Sequence, residues 1–284
     1  MDTIKVSGHG VEIALQAAGV ASRPALLLLH GWPHSHALYE PVVDALAERF
    51  FVLVPDLPEI GESRGAPKSA EKTVLADLLL AAAEQAGARD IIVAGIDVGG
   101  MIAFAAARDH GARIRGAVVA NTVVPGLDPW EKLLADPRIW HFAFHAIPDL
   151  PETMVQGRQR PYFDYFTHAL AGNADAVTDA YRGRFAAAYA RPEALKAGFD
   201  WYRALAIDAK HNARPKAIET PLLYLRGDAD GRSPDDYLPG LRQAGVRKLT
   251  AAVLQGSGEF APLEAPRAFV EALMRFAPVK GQSA

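Results

Sequence analysis

Four apolar runs recur along the first half of the chain: "ALLLLH" (25 to 30), "FFVLVPD" (50 to 56), "DIIVAGID" (90 to 97) and "RGAVVAN" (115 to 121). A strand that is apolar at nearly every position offers no face to water, so both of its faces must be covered. Between the runs lie Ala- and Leu-rich stretches with helical spacing, such as Tyr39 to Glu48 and Thr73 to Ala86. Strands of this kind alternating with amphipathic helices predict an α/β fold, a mostly parallel sheet flanked by helices. From about residue 126 to 211 the texture changes to Trp, Phe, Tyr and His on segments of helical period, which predicts an inserted helical lid. "TPLLYLRGD" (220 to 228) and "KLTAAVLQG" (248 to 256) then read as two further buried strands, and "PRAFVEALMRFA" as a closing helix. The expected division is a core of residues 1–125 and 212–284 with a lid at 126–211.

With 284 residues, half of them hydrophobic, the chain can bury one sizeable core without metals or cross-links. Its net charge of −3 provides no basic field for nucleic acid or an anionic membrane. It has no cysteine, which removes disulfides, thiolate metal sites and cysteine nucleophiles together. The start, "MDTIKVSGHGVEIAL", alternates like a strand rather than a signal peptide, and no apolar run approaches the roughly 18 residues of a membrane span. The expectation is a soluble, cytoplasmic protein acting on a small molecule, with no cofactor and no metal. A homodimer is left open.

In an open parallel sheet, ligands bind beyond the carboxyl ends of the strands. The loops there read "HGWPHS", "DLPEIGES", "GIDVGGMIAFAAA", "GDADGRSP" and "GSGEFAPLEAP". The third is the most telling. Gly95, Asp97, Gly99 and Gly100 place an acid on a tight strand-to-helix turn whose small neighbours let backbones approach closely, as in a nucleophile elbow. An Asp that merely caps the following helix is the plainer alternative.

Taken in order and spacing, "LLLHGWP", "DLPEIGES", "VAGIDVGGMIAF", "LYLRGDADGRSP" and "GSGEFAPLEAP" resemble the α/β-hydrolase superfamily over nearly the whole chain. An Asp in the elbow resembles the branch of epoxide hydrolases and dehalogenases. There a carboxylate attacks the substrate carbon to form an alkyl ester, which a His–Asp-activated water then hydrolyses. Val98 and Trp32 stand where dehalogenases carry their halide- or carboxylate-binding side chains, so the epoxide hydrolases fit better. The resemblance implies Asp97 as nucleophile and backbone amides of Trp32 and Val98 as the oxyanion hole. It also implies Tyr202 of "GFDWYRAL", with Trp140 or His141 of "RIWHFAFHAIPDLPE", as lid donors to the epoxide oxygen. The whole segment "DPWEKLLADPRIWHFAFHAIPDLPE" looks like the bacterial, actinomycete-type epoxide hydrolases. The aromatic insert points to a mostly apolar, aromatic or polyketide-like substrate.

Two departures complicate this. In the family the last turn reads Gly-x-Gly-His-aromatic and its His is the general base; here the position is Glu259, although Gly256, Gly258, Phe260, Glu264 and Pro266 all match. In "DLPEIGES", Pro58 and Glu59 replace the expected Arg and Gly, so two acids are candidates for one cleft. Asp230 is the preferred acid to support position 259, with Asp228 the other candidate. Three outcomes stay open: a hydrolase whose ester-hydrolysis step is impaired or atypical, a pseudoenzyme, binding protein or engineered trapping variant, and a dehalogenase-like or non-hydrolytic acid–base catalyst.

Overall fold

The computed structural model describes residues 1–8 and 10–276. Eight strands form one sheet: β1 (Asp2–Gly8), β2 (Val11–Ala18), β3 (Ala25–Leu29), β4 (Phe51–Pro55), β5 (Ile91–Ile96), β6 (Ile114–Ala120), β7 (Leu222–Gly227) and β8 (Leu249–Leu254). Their spatial order is β1-β2-β4-β3-β5-β6-β7-β8, with β2 antiparallel to both neighbours and every pairing from β4 to β8 parallel. The alternating N-terminal stretch is thus two strands paired with each other rather than one.

All residues of β3, β4, β5 and β7 are buried, as their continuous apolar sequences require. Successive side chains point to opposite faces. Leu27, Leu29 and Val93 join the core beneath α2 (Lys72–Gln85) and α3 (Val98–Asp109), while Leu26, Leu28 and Ile92 join the one beneath α1 (Glu40–Ala47) and the C-terminal helix. The reading of 248 to 256 as a buried strand is corrected. β8 closes the sheet, pairs only with β7, and leaves Thr250, Ala251 and Val253 exposed.

Between β6 and β7 the chain builds seven α-helices: α4 (Trp130–Leu134), α5 (Trp140–Ala146), α6 (Leu150–Val155), α7 (Gln159–Leu170), α8 (Asp179–Ala188), α9 (Pro192–Arg203) and α10 (Leu205–Asn212). This layer lies over the carboxyl ends of the parallel strands, and its aromatic side chains pack on Trp32 in the loop after β3. After β7 come α11 (Leu238–Gln243), α12 (Ala261–Glu264) and α13 (Pro266–Phe276). The strand order reverses at β3, whose successors in the chain lie on opposite sides of it, so the crevice opens between the ends of β3 and β5.

One carboxylate joins the helical layer to the last core loop. Glu264, ending α12, accepts backbone N–H bonds from Gly172 (2.6 Å), Asn173 (2.8 Å), Gly258 (3.0 Å) and Phe260 (2.8 Å). Removing it strands four donors at once, each of which costs about 1–3 kcal/mol if it stays buried. Glu264→Ala is therefore expected to lower stability by on the order of 3 kcal/mol, since water will recover part of the loss. Urea unfolding checks this, and a midpoint equal to the parent's would contradict it.

Candidate active site

Asp97 occupies the turn between β5 and α3 with φ +54° and ψ −123°, a conformation that L-residues rarely adopt. Such strain persists only where the surroundings over-determine it. The glycines supply the room. A Cβ on Gly99 would lie 2.1 Å from the Leu29 carbonyl oxygen, and one on Gly31 would lie 2.3 Å from Asp97 Oδ1. With those side chains absent, the ends of β3 and β5 close on each other and the Trp32 N–H donates to Asp97 Oδ1 at 2.7 Å. The Val98 N–H, at the start of α3, also donates to this carboxylate. Burial nonetheless raises the Asp97 pKa to about 6, the two amide donors offsetting only part of the desolvation.

Above Asp97 lies an aromatic enclosure. The Trp32 ring meets His145 (centroids 4.5 Å apart), Phe166 (4.8 Å), Phe163 (5.2 Å), Tyr202 (6.0 Å) and His141 (6.3 Å). Tyr202 on α9 and His141 on α5 are both buried, and the Tyr202 hydroxyl is close enough to feel the charges of Asp97 and Glu259. Burial lowers the His141 pKa to about 4, so its imidazole is neutral near pH 7, and its Nδ1 has no partner. The His145 Nε2 meets the Tyr162 hydroxyl at 2.7 Å. The structure separates the two first-lid-helix candidates: His141 turns inward, whereas Trp140 is 41 % exposed and donates from Nε1 to the Tyr165 hydroxyl at 3.4 Å.

Glu259 is held in place through its backbone. Its N–H donates to the Leu170 carbonyl (3.0 Å), and its neighbours on both sides bind Glu264. The side chain has no such support, and Oε1 is buried without a partner. Desolvation and then the Asp97 charge push its pKa well above the usual carboxyl value, with Arg226 opposing. These surroundings favour the carboxylic acid form over the carboxylate.

Asp230 does not hydrogen-bond to Glu259. It pairs with Arg226 and with Arg232 (3.2 Å), and Arg232 in turn reaches Asp136, between α4 and α5, at 2.7 Å. Asp228 accepts from the Gly256 N–H at 2.8 Å and is exposed. Two arginines in reach claim the carboxylate at 230. Glu59 likewise turns to the lid: Arg191 donates to its carboxylate (3.0 Å), to its carbonyl (2.5 Å) and to the Ser63 carbonyl (3.2 Å). The residue overlooked in the sequence is Asn121, directly after β6. With φ +46°, its Oδ1 accepts from the Gly227 N–H (2.8 Å) and its Nδ2 donates to the Gly258 carbonyl (2.7 Å), bracing the Glu259 loop against β7. An Asn ending a buried strand, a residue type that tolerates positive φ, was the available signal.

Residues 24–266 match the alpha/beta hydrolase fold family, and the chain belongs to it. It is 27 % identical over 264 residues to a soluble epoxide hydrolase of Corynebacterium sp. (strain C12), covering 90 % of this chain and 91 % of that one. It is also 24 % identical over 273 residues to a pimeloyl-[acyl-carrier protein] methyl ester esterase of Nitrosospira multiformis, covering 94 % and 99 %. Among solved structures, Cfl2 from Burkholderia cenocepacia superposes with a TM-score of 0.86 at 27 % identity, covering 96 % of this chain and 95 % of that one. The relatives place the chain among hydrolases, with epoxide hydrolase-like relatives at low identity. Among the described residues no cluster of three His, Asp or Glu side chains could hold a metal ion, and no helix is long and apolar enough to cross a membrane.

The Asp97 environment has a consequence for stability. In the unfolded chain the carboxyl loses its proton near pH 3.8, in the folded protein near 6, so between these values folding takes up a proton and stability falls as pH rises. Above about pH 6 the folded state carries the full penalty of a buried charge. Asp97→Asn keeps an oxygen for the Trp32 N–H without that charge. It is expected to stabilise the protein by roughly 2–3 kcal/mol at pH 7.5 and by almost nothing at pH 4. Denaturation at the two pH values tests this, and an equal effect at both would contradict the assignment.

Proposed function

We propose that the protein opens an epoxide of a mostly apolar, aromatic-sized small molecule by attack of Asp97, and that the second step, hydrolysis of the resulting ester, is slow. The observation that carries this reading is the Asp97 carboxylate held by the Trp32 and Val98 amides beneath buried Tyr202 and His141. An ionised carboxylate attacks the less hindered ring carbon; the C–O bond breaks and the oxygen takes a proton from the Tyr202 hydroxyl, while the neutral His141 imidazole serves only as a hydrogen-bond donor to that oxygen. The developing charge on the ester oxygen in the second step falls to the Trp32 and Val98 amides. The Corynebacterium relative's name supports the epoxide as substrate class.

The second step needs a base to activate water. Glu259 is the residue in the base position, and surroundings that favour its protonated form leave less of the carboxylate that a base needs. General-base catalysis is typically worth roughly 10²–10⁴-fold, which sets the size of the deficit. A binding protein without turnover is the second reading, favoured by the same observation, the buried and unpartnered Glu259 Oε1.

Incubation with an aryl epoxide is expected to add the mass of one epoxide to the intact protein, on the peptide containing Asp97, and the addition should vanish in Asp97→Asn. The labelling rate follows the ionised fraction of Asp97, so it falls about tenfold per unit below pH 6 and levels off above it. Neither adduct nor diol at pH 8 would remove the nucleophile assignment. Separately, Glu259→His is expected to raise diol formation by roughly 10²–10⁴-fold. A parent protein that outpaces this variant would refute the missing-base account, while labelling with no gain would favour the binding-protein reading.

A further inference from the structure

We infer that Lys72 is a positioning residue for this chemistry: its buried ion pair with Asp208 docks the lid on the core and holds the Tyr202 helix over Asp97. The inference rests on the epoxide-opening reading and extends it to a residue outside the loops at the strand ends. Lys72 is the first residue of α2 and only 2 % exposed. Its backbone N–H donates to Asp208 Oδ1 at 3.0 Å and its Nζ lies 2.9 Å from Oδ2, so one lid carboxylate binds both ends of the same residue. The Nζ also donates to the Trp201 carbonyl at 2.5 Å. Asp208 belongs to α10 and Trp201 to α9, one position before Tyr202. A single core side chain therefore ties two lid helices.

The chemistry of the tie is unusual. Taking an ammonium and a carboxylate out of water costs several kcal/mol per ion, and well-packed apolar residues of similar volume would join two helices as firmly or more so. A buried charge at this place needs another use. The charge of Lys72 reaches Asp97 and favours its ionised form. The groups that act on Asp97 are the Trp32 and Val98 amides and Lys72 from α2, and the Asp97 charge in turn reaches Tyr189 and Tyr202 from the lid and Glu259 from the last loop. Lys72 itself faces Asp208, Glu71 and Asp97. Of the groups acting on Asp97, Lys72 is the one that brings a positive charge.

The test compares Lys72→Met with the double variant Lys72→Met/Asp208→Leu, following aryl-epoxide labelling by intact mass from pH 5 to 9 alongside thermal melting. Lys72→Met is expected to melt lower, because Asp208 is left buried without its counter-charge, and to move the pH midpoint of labelling upward by about one unit. The double variant is expected to recover the melting temperature and to keep the shifted midpoint, which a merely structural role would not produce. Should Lys72→Met fail to fold, the double variant carries the comparison alone. A double variant that labels with the parent's midpoint and rate overturns the inference. If the parent is inert to epoxides, the proposed function has failed, and hydrogen exchange across residues 199–208 then decides the docking role. Faster exchange there in the double variant sustains it, and unchanged exchange refutes it.

Discussion

The hydrogen bond from the Trp32 N–H to the Asp97 carboxylate is the contact around which the site is built. It forms only because the loop after β3 and the turn after β5 approach to backbone contact, which Gly31 and Gly99 permit. The same approach fixes Asp97 in its strained conformation, starts α3 at Val98 and presents the Trp32 ring as the floor on which lid aromatics pack. A carboxylate so enclosed is expensive to ionise. That expense is a liability for stability.

Around position 259 the backbone and the side chain follow different logics. The loop is braced by Asn121, Glu264 and the Leu170 carbonyl, all of which bind main-chain groups and are indifferent to the residue between them. The loop frame therefore accommodates glutamate where the family has histidine. The side chain answers to electrostatics instead: a poorly solvated place and the nearby Asp97 charge raise its proton affinity, with Arg226 as partial counter-charge. A retained frame with altered chemistry separates membership of the fold from the rate of any one step.

Much of the architecture was legible from local pattern. Continuous apolar runs marked β3 to β7, and the Gly-x-Asp-x-Gly-Gly turn marked the elbow, because strand burial and tight turns are encoded in adjacent residues. Less legible was what depends on the end of the sheet or on distant partners. "KLTAAVLQG" is apolar enough to pass for a buried strand, yet β8 has no neighbour beyond it. Glu59 and Asp230 were candidates for the cleft on loop position alone, but Arg191, Arg226 and Arg232 claim their carboxylates, and no spacing in the chain announces those pairings. Asn121 carries no motif, and its use lies in the end of β7 and the Glu259 loop, both more than a hundred residues away.

The sequence by itself determined the α/β order, the acid at the elbow, the aromatic insert and the glutamate in the histidine loop, since each is a matter of residue type at short spacing. Tertiary structure alone decided that His141 rather than Trp140 faces inward, that Lys72 on α2 meets Asp208 on α10, and that Glu259 Oε1 is buried without a partner. The direction of a side chain on a short helix, and the proton affinity of a carboxyl group, depend on what other segments place around them. Those neighbours exist only after the chain has folded.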